Sequence, residues 1–277
     1  MTLFDTSPRQ VTAEYWSEAE EAGAARLHRG LRFVAGTFTD PLTEDRGVLV
    51  EYAEPRALAD PETLSSLVLD VAADGDVPRG QAQLRAPAAA VLPPPWRPAL
   101  TYVRLVRALP EVALDDGTVI VPAGPEHRAA VTEWLERAVR QGAHDAGLAP
   151  GGEAVREAAA ETLADAGLRC LVAVRDGIAL GHAAVRTGAV DAVTGEDFVE
   201  LWDVLVEPAA PGAGSVRNAL TGAAAGLARH AGLPLIGHVV HGRDGHGARV
   251  LAGLHDHGWQ SDHVYWTAGL AELGAAS

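Results

Sequence analysis

The segment E-P-A-A-P-G-A-G-S-V, Glu207 to Val216, closes the apolar run F-V-E-L-W-D-V-L-V and opens an alanine-rich stretch. A strand that turns through two glycines into a helix can hold a phosphate. The first N–H groups of a helix have no intrahelical partner, and the helix dipole favours an anion beside them. Gly212, Ala213, Gly214 and Ser215 can supply such donors, and glycine lets the backbone come close to a ligand. Pro211 offers neither charge nor donor, Val216 places a branched side chain in the first turn, and Arg217 can restore a positive charge. The alternative is a tight turn that only starts a helix.

Upstream in the same run lie Glu200, Trp202 and Asp203. Strand alternation puts Glu200 and Trp202 on one face and Asp203 on the other. A carboxylate beside a tryptophan in a cleft suits proton transfer, which makes Glu200 the first candidate base and Asp203 the weaker one. Histidines crowd the end of the chain: His238, His241, His246, His255, His257 and His263. His238 and His241 fall on opposite faces of a strand end, and His255 and His257 share no helix face, so no metal site is expected. Cys170, the single cysteine, sits among Leu168, Leu171 and Val172 and is expected to be a buried strand thiol, not a nucleophile.

The chain has 277 residues, 48% hydrophobic, and a formal net charge of −15 in which every basic side chain is arginine. That balance argues against a broad electrostatic hold on nucleic acid. No apolar run is long enough to span a bilayer and no leader-like segment opens the chain, so a soluble, cytoplasmic protein is expected.

Two segments organise the sequence, 1–110 and 111–277. In the first, Val11 to Arg29 reads as an amphipathic helix, and Leu31–Thr37 and Gly47–Ala53 read as strands. Asp60-Pro61-Glu62 is a helix start with an N-cap acceptor, proline at the first position and an acid in the first turn. That helix runs to about Ala73. Strands at Gly80–Arg85 and Ala99–Val106 flank the proline-rich stretch that carries Trp96. In the second segment Thr118–Pro122 reads as a strand and Gly124 to Arg140 as a helix. A glycine-rich loop, Gly142 to Gly152, and a helix, Glu153 to Ala166, come next. A hairpin turns through Asp176-Gly177, and the strand Phe198–Val206 follows. Helix Ser215–His230, strand Leu235–Val240, helix Gly245–His257 and strand His263–Thr267 complete the order.

That order, β-α-α-β-β-β-α-β-α-β, together with the glycine loop, resembles the GNAT (Gcn-related N-acetyltransferase) superfamily over Thr118 to Leu270. V-P-A-G-P-E-H is similar to that family's first strand and helix start, and H-D-H-G-W stands where its last helix ends in Gly-Phe. The resemblance implies an α+β fold, a central mixed sheet flanked by helices, preceded by a smaller α+β region. It implies transfer of an acyl group, most simply acetyl from acetyl-CoA or another acyl-CoA, to the amine of a small molecule, with no metal. The acyl-CoA would lie on Leu205, Val206, Gly212, Ala213, Gly214, Ser215, Val216, Arg217 and His241, and Trp202 would touch the acceptor. The family's loop spacing falls on Pro211, Gly214 and Val216, so only its middle element is intact. A recurring base position, eight residues before Pro208, is Glu200. The usual tyrosine acid falls on Leu254, which leaves His255 or Tyr265 to substitute. The eroded loop also leaves open another acyl donor, an aminoacyl-tRNA or a carrier-protein thioester, or a non-catalytic binding module. The first segment echoes the second, V-L-V-E-Y-A-E-P against V-L-V-E-P, and is either a truncated GNAT-like half or an unrelated α+β lid.

Overall fold

The computed structural model describes residues 10–110, 112–114, 117–242 and 244–276. Thr12 caps α1 (Ala13–Glu21), its hydroxyl accepting from the Tyr15 N–H at 3.2 Å. The helix is shorter than its periodicity suggests. Gly23, at φ 69°, ends it in the left-handed region, and the following residues pair instead as β1 (Ala25–His28) with β2 (Leu31–Thr39) through a turn at Arg29 and Gly30. Then come β3 (Arg46–Ala53), the single turn α2 (Pro55–Leu58), α3 (Pro61–Asp74), β4 (Gln81–Pro87) and β5 (Arg97–Leu105). Asp60 caps α3 as its sequence requires, accepting from the Glu62 and Thr63 N–H groups at 3.2 Å.

The second segment supplies β6 (Thr118–Pro122), α4 (Arg128–Asp145), α5 (Gly152–Ala164), β7 (Leu168–Arg175), β8 (Ile178–Asp191) and β9 (Glu196–Val206). It ends with α6 (Ala213–Ala231), β10 (Leu235–Val240), α7 (His246–Asp256), β11 (Trp259–Gly269) and α8 (Leu270–Ala276). Helix α4 runs through Gly142, so the loop between α4 and α5 is shorter than the glycines imply. Both β1 and α8 lack a sequence signal strong enough to have been expected.

All the strands form one 11-stranded sheet in the order β1-β2-β3-β4-β11-β5-β10-β9-β8-β7-β6. Among the described residues only β3–β4 and β9–β10 are parallel, each joined by a crossover helix, α3 or α6. The last strand of each segment is given to the other. β5 lies between β10 and β11, and β11 lies between β4 and β5. The two segments therefore share one sheet.

Both crossover helices pack on the same face. Leu64, Leu67, Val68 and Val71 of α3 cover Val48, Val50 and Leu84, while Val216, Leu220, Ala224 and Ala228 of α6 cover Val103, Val185, Val199 and Leu235. On the opposite face α1 covers one end through Tyr15 and Ala19, and α4 and α5 cover the other through Trp134, Leu135 and Ala159. Between those helices the floor of the sheet is polar, with Glu200, His238, Tyr102, His263 and Tyr265 on it. The turn joining β8 to β9 reaches across it to α1, where the Thr12 N–H donates to Val193 O at 3.1 Å.

Candidate active site

The parallel strands β9 and β10 stay paired only from Val199–Leu235 to Leu201–Gly237. Beyond that point β10 keeps its ladder with β5 as far as Val240 and has none with β9. The sheet opens there as a wedge whose edges carry backbone amides without a ladder partner. A bulge sits at the apex: Asp203 opposes Ala184, Leu201 opposes Val185, and Trp202 is the extra residue. The bulge overturns the expected strand alternation. Ala184 and Arg186 share a face of β8, so their partners Asp203 and Glu200 share one as well. Trp202 packs on that face too, among Trp134, Val172 and Leu205.

Glu200 is nearly buried. One carboxylate oxygen accepts from Arg186 Nη1 at 3.3 Å, and the other lies 3.9 Å from His238 Nδ1. Asp203 accepts from Nε2 of the fully buried His182 at 2.9 Å, and that ring lies against Trp134. His238 is the first residue of β10 past the apex. Burial holds its pKa below the usual histidine value, against the opposing pull of Glu200 and Asp203. Directly across from it stands Tyr102, contributed by β5 of the first segment. Tyr102 stacks on His263 of β11 with ring centroids 4.4 Å apart, and Tyr265 lies 6.0 Å away. Burial pushes the Tyr102 phenol well above its ordinary value and Tyr265 up to about 12. The floor beside the wedge is thus a row running Glu200, His238, Tyr102, His263 and Tyr265 across four strands.

The strand end β9 delivers the glycine loop. Gly181 lets β8 approach, since a Cβ there would lie 2.4 Å from Leu205 O. Glu207 anchors the loop to α4 by accepting from Trp134 Nε1 and from Arg137 at 3.2 Å, and the Trp134 bond first, then Arg137, holds its carboxyl below the usual range. Gly212 is the N-cap of α6 at φ 66°, a conformation that favours glycine. The Ala213 N–H goes to Ala210 O and the Val216 N–H to Gly212 O, while Gly214 and Ser215 N–H find no partner among the described residues. A Cβ on Gly214 would meet nothing within 4 Å, so open space lies above those donors. Val216 does not obstruct it. Its side chain is buried in the α6 core, contrary to the expectation that it would crowd a diphosphate. Arg217 is exposed beside the loop without an ion pair among the described residues.

The other expected residues divide. Leu205 and Val206 line β9 where it has left β10, and Tyr265 joins the polar floor. His241 turns to the other face, Nε2 2.8 Å from Thr101 Oγ1, and burial lowers its pKa. Asp244 caps α7 by accepting from the His246 N–H at 2.9 Å. His255 lies exposed on α7, 3.1 Å from Ser261 Oγ, and makes no described contact with the Glu200 row. Cys170 is a half-buried strand thiol whose pKa burial pushes up to about 11. Asp191, Asp262 and His263 bring ligand atoms within 4.8 Å of one another, yet two arginines already occupy both carboxylates. Sequence reasoning did not foresee His238 beside Glu200, and it missed Tyr102 altogether. The available signal was a tyrosine in the last strand of each segment, T-Y-V-R and V-Y-W-T.

No family model and no curated protein matches the chain. Among solved structures, a GCN5-related N-acetyltransferase from Sphaerobacter thermophilus aligns over 86% of this chain and 76% of its own, at 13% identity and a TM-score of 0.53. A putative GNAT-family acetyltransferase from Novosphingobium aromaticivorans aligns over 94% and 96% at 17% identity and a TM-score of 0.41. A tandem GNAT protein from the clavulanic acid biosynthesis pathway aligns over 96% and 90% at 15% identity and a TM-score of 0.47. The fold of this chain is the GNAT fold, as the Sphaerobacter structure shows over most of its length. Among the described residues no helix is long and apolar enough to cross a membrane.

Proposed function

We propose that this protein is an N-acyltransferase that takes an acyl group from acyl-CoA, most simply acetyl-CoA, and passes it to the amine of a small molecule. The observation that carries the reading is the wedge between β9 and β10, opening beside the left-handed Gly212 turn with the free N–H groups of Gly214 and Ser215. Those donors and the α6 dipole suit a diphosphate. The unladdered edges of β9 and β10 suit a slender, amide-bearing chain, because extended backbone seeks strand-like partners. Arg217 adds charge at the loop, which offsets part of what Pro211 withholds. Acyl-CoA supplies an activated acyl carbon.

The chain's own groups then manage the proton. An amine attacks only when neutral, so an acceptor must take its ammonium proton. His238 fits, because burial keeps the ring unprotonated at neutral pH and Glu200, 3.9 Å away, stabilises the positive charge the ring would gain. Glu200, already paired with Arg186, acts through His238 and not alone. Tyr102, held protonated, is the hydroxyl donor facing the same point from the neighbouring strand. The chain's acidic balance favours a cationic or zwitterionic acceptor by long-range attraction.

Calorimetry with acetyl-CoA, CoA and desulfo-CoA tests the donor. Binding of all three in the micromolar range is expected, since recognition rests on the diphosphate and amide chain. Failure of all three to bind the folded protein would overturn CoA as donor and leave a carrier-bound thioester as the reading to pursue.

A further inference from the structure

The first segment has a wedge of its own. Strands β3 and β4 pair only from Val48–Ala82 to Val50–Leu84, and the next residue of β3, Glu51, is the extra residue of a bulge between Val50 and Tyr52. In the second segment the ladder ends at Leu201–Gly237 and the bulge is Trp202. The exchanged strands match as well: Arg85, just past the first ladder, stands across from Tyr265, as His238 stands across from Tyr102. By this register Val48–Val50 correspond to Val199–Leu201. The echo between V-L-V-E-Y-A-E-P and V-L-V-E-P is therefore out of step with the ladders.

Over this first wedge lies a cavity of about 940 Å³, walled by β3, β4, β5, β11, α1 and the turn between β8 and β9. Its apolar wall includes Val11, Ala13, Leu58, Ala86, Val106 and Val193. Trp16 and Tyr52 meet edge to face at one side, 5.9 Å between centroids. The charged groups on its wall are unevenly partnered. Arg85 is held by Asp191 at 2.9 and 2.5 Å, and Arg104 by Glu196 at 2.9 and 2.6 Å and by Asp262 at 2.9 Å. Among the described residues Glu51 has no guanidinium partner. Its one described hydrogen bond comes from the Tyr15 hydroxyl, at 3.2 Å. Glu54 is a further acid on the wall, and Arg32 lies 3.8 Å over the Trp16 ring. Arg85 and Arg104 on the wall are thus each held by carboxylates, and Glu51 is the wall acid whose described partner is a hydroxyl. The Thr194 hydroxyl, also on the wall, is buried without a hydrogen-bond partner. The loop here, Glu54-Pro55, has no glycine turn and would repel a phosphate.

We propose that this cavity is a second small-molecule site, which binds the ammonium of a hydrophobic primary amine against Glu51, with the amine's apolar body between Trp16, Tyr52 and the aliphatic wall. This site stands apart from the acyl-donor wedge and does not rest on the acyl-transfer reading.

The probe is phenethylamine, titrated into the full-length protein by calorimetry and by tryptophan fluorescence, with 2-phenylethanol as its uncharged counterpart. The amine should bind at least tenfold more tightly than the alcohol. Glu51→Gln, which keeps an acceptor for Tyr15, should remove most of that preference at unchanged melting temperature, and Gly214→Asp should leave it intact. Equal affinity for amine and alcohol in the wild-type protein, or no amine binding, would overturn the proposal without reference to any variant. Undiminished amine binding by a folded Glu51→Gln would overturn it too. Loss of CoA binding with amine binding retained would count against the donor reading alone.

Discussion

Arg104→Met tests whether the two segments are locked together through the polar face. Arg104, on β5, has a side chain only 4% exposed, and it donates to Glu196 on β9 and Asp262 on β11. Methionine fills much of the volume but removes the guanidinium that two mostly buried carboxylates share. Removing one partner of a buried ion pair costs roughly 3–5 kcal/mol, a large share of the roughly 5–15 kcal/mol that keeps a domain folded. The signature lies in the pH dependence. In the wild-type protein burial tends to raise the Asp262 pKa, but His263 and Arg104 outweigh it and hold the carboxyl far below its ordinary 3.8. A depressed folded pKa contributes stability that is fully present above the unfolded value and is lost as pH falls through the folded one. In the variant burial is opposed by His263 alone, so the folded pKa rises, and protonation on acidification relieves part of the penalty seen at neutral pH. Urea melts at pH 7 should show the full loss, and melts near pH 4.5 a clearly smaller gap between variant and wild type. Arg104→Met combined with Glu196→Gln and Asp262→Asn should recover most of the stability at pH 7. A loss under about 1 kcal/mol, or a gap that does not change with pH, would refute the reasoning.

Gly214→Asp should weaken acetyl-CoA binding at least tenfold in calorimetry without lowering the melting temperature, because its Cβ meets open space while its carboxylate faces the phosphate donors. His238→Asn should lower kcat by about 10²–10⁴-fold, the usual worth of general-base catalysis, with donor affinity little changed. Glu200→Gln should move the acid limb of the kcat–pH profile to lower pH, since the Glu200 charge raises the His238 pKa; an unmoved limb would separate the two residues. Residues 1–110 expressed alone should fail to unfold cooperatively in a urea melt, because β11 is missing from between β4 and β5.

What was readable from the sequence was local. The loop and its glycines, the proline-opened α3 and the strands β6 and β10 all follow from short-range signals, and the structure places them where those signals do. The bulge at Trp202 was not readable, since one extra residue in a ladder leaves no mark in composition. It reversed the relation of Glu200 to Asp203. Tyr102 was hidden for a different reason: its role depends on a pairing between residues far apart in the chain, His238 and Tyr102, which periodicity does not report. Val11 to Arg29 failed because apolar spacing continued past Gly23 while the backbone did not.

The strand exchange explains why two similar wedges can carry different chemistry. Each wedge takes its floor tyrosine from the other segment's last strand, Tyr102 for one and Tyr265 for the other, so neither is complete on its own segment. The residues at the apex are free to differ. Past the second ladder stand Trp202, His238 and a glycine turn that leaves N–H groups free, an arrangement for an anion beside a neutral base. Past the first stand Glu51, Arg85 and Glu54-Pro55, and Arg85 is neutralised by Asp191, which leaves a carboxylate as the free charge. The first wedge is thereby unsuited to a diphosphate and suited to a cation. A single geometry, a parallel pair that parts after a bulge, is thus followed by a glycine turn in one copy and by Glu54-Pro55 in the other. The buried pairs of Arg85 with Asp191 and Arg104 with Glu196 and Asp262 tie the two copies together across one sheet.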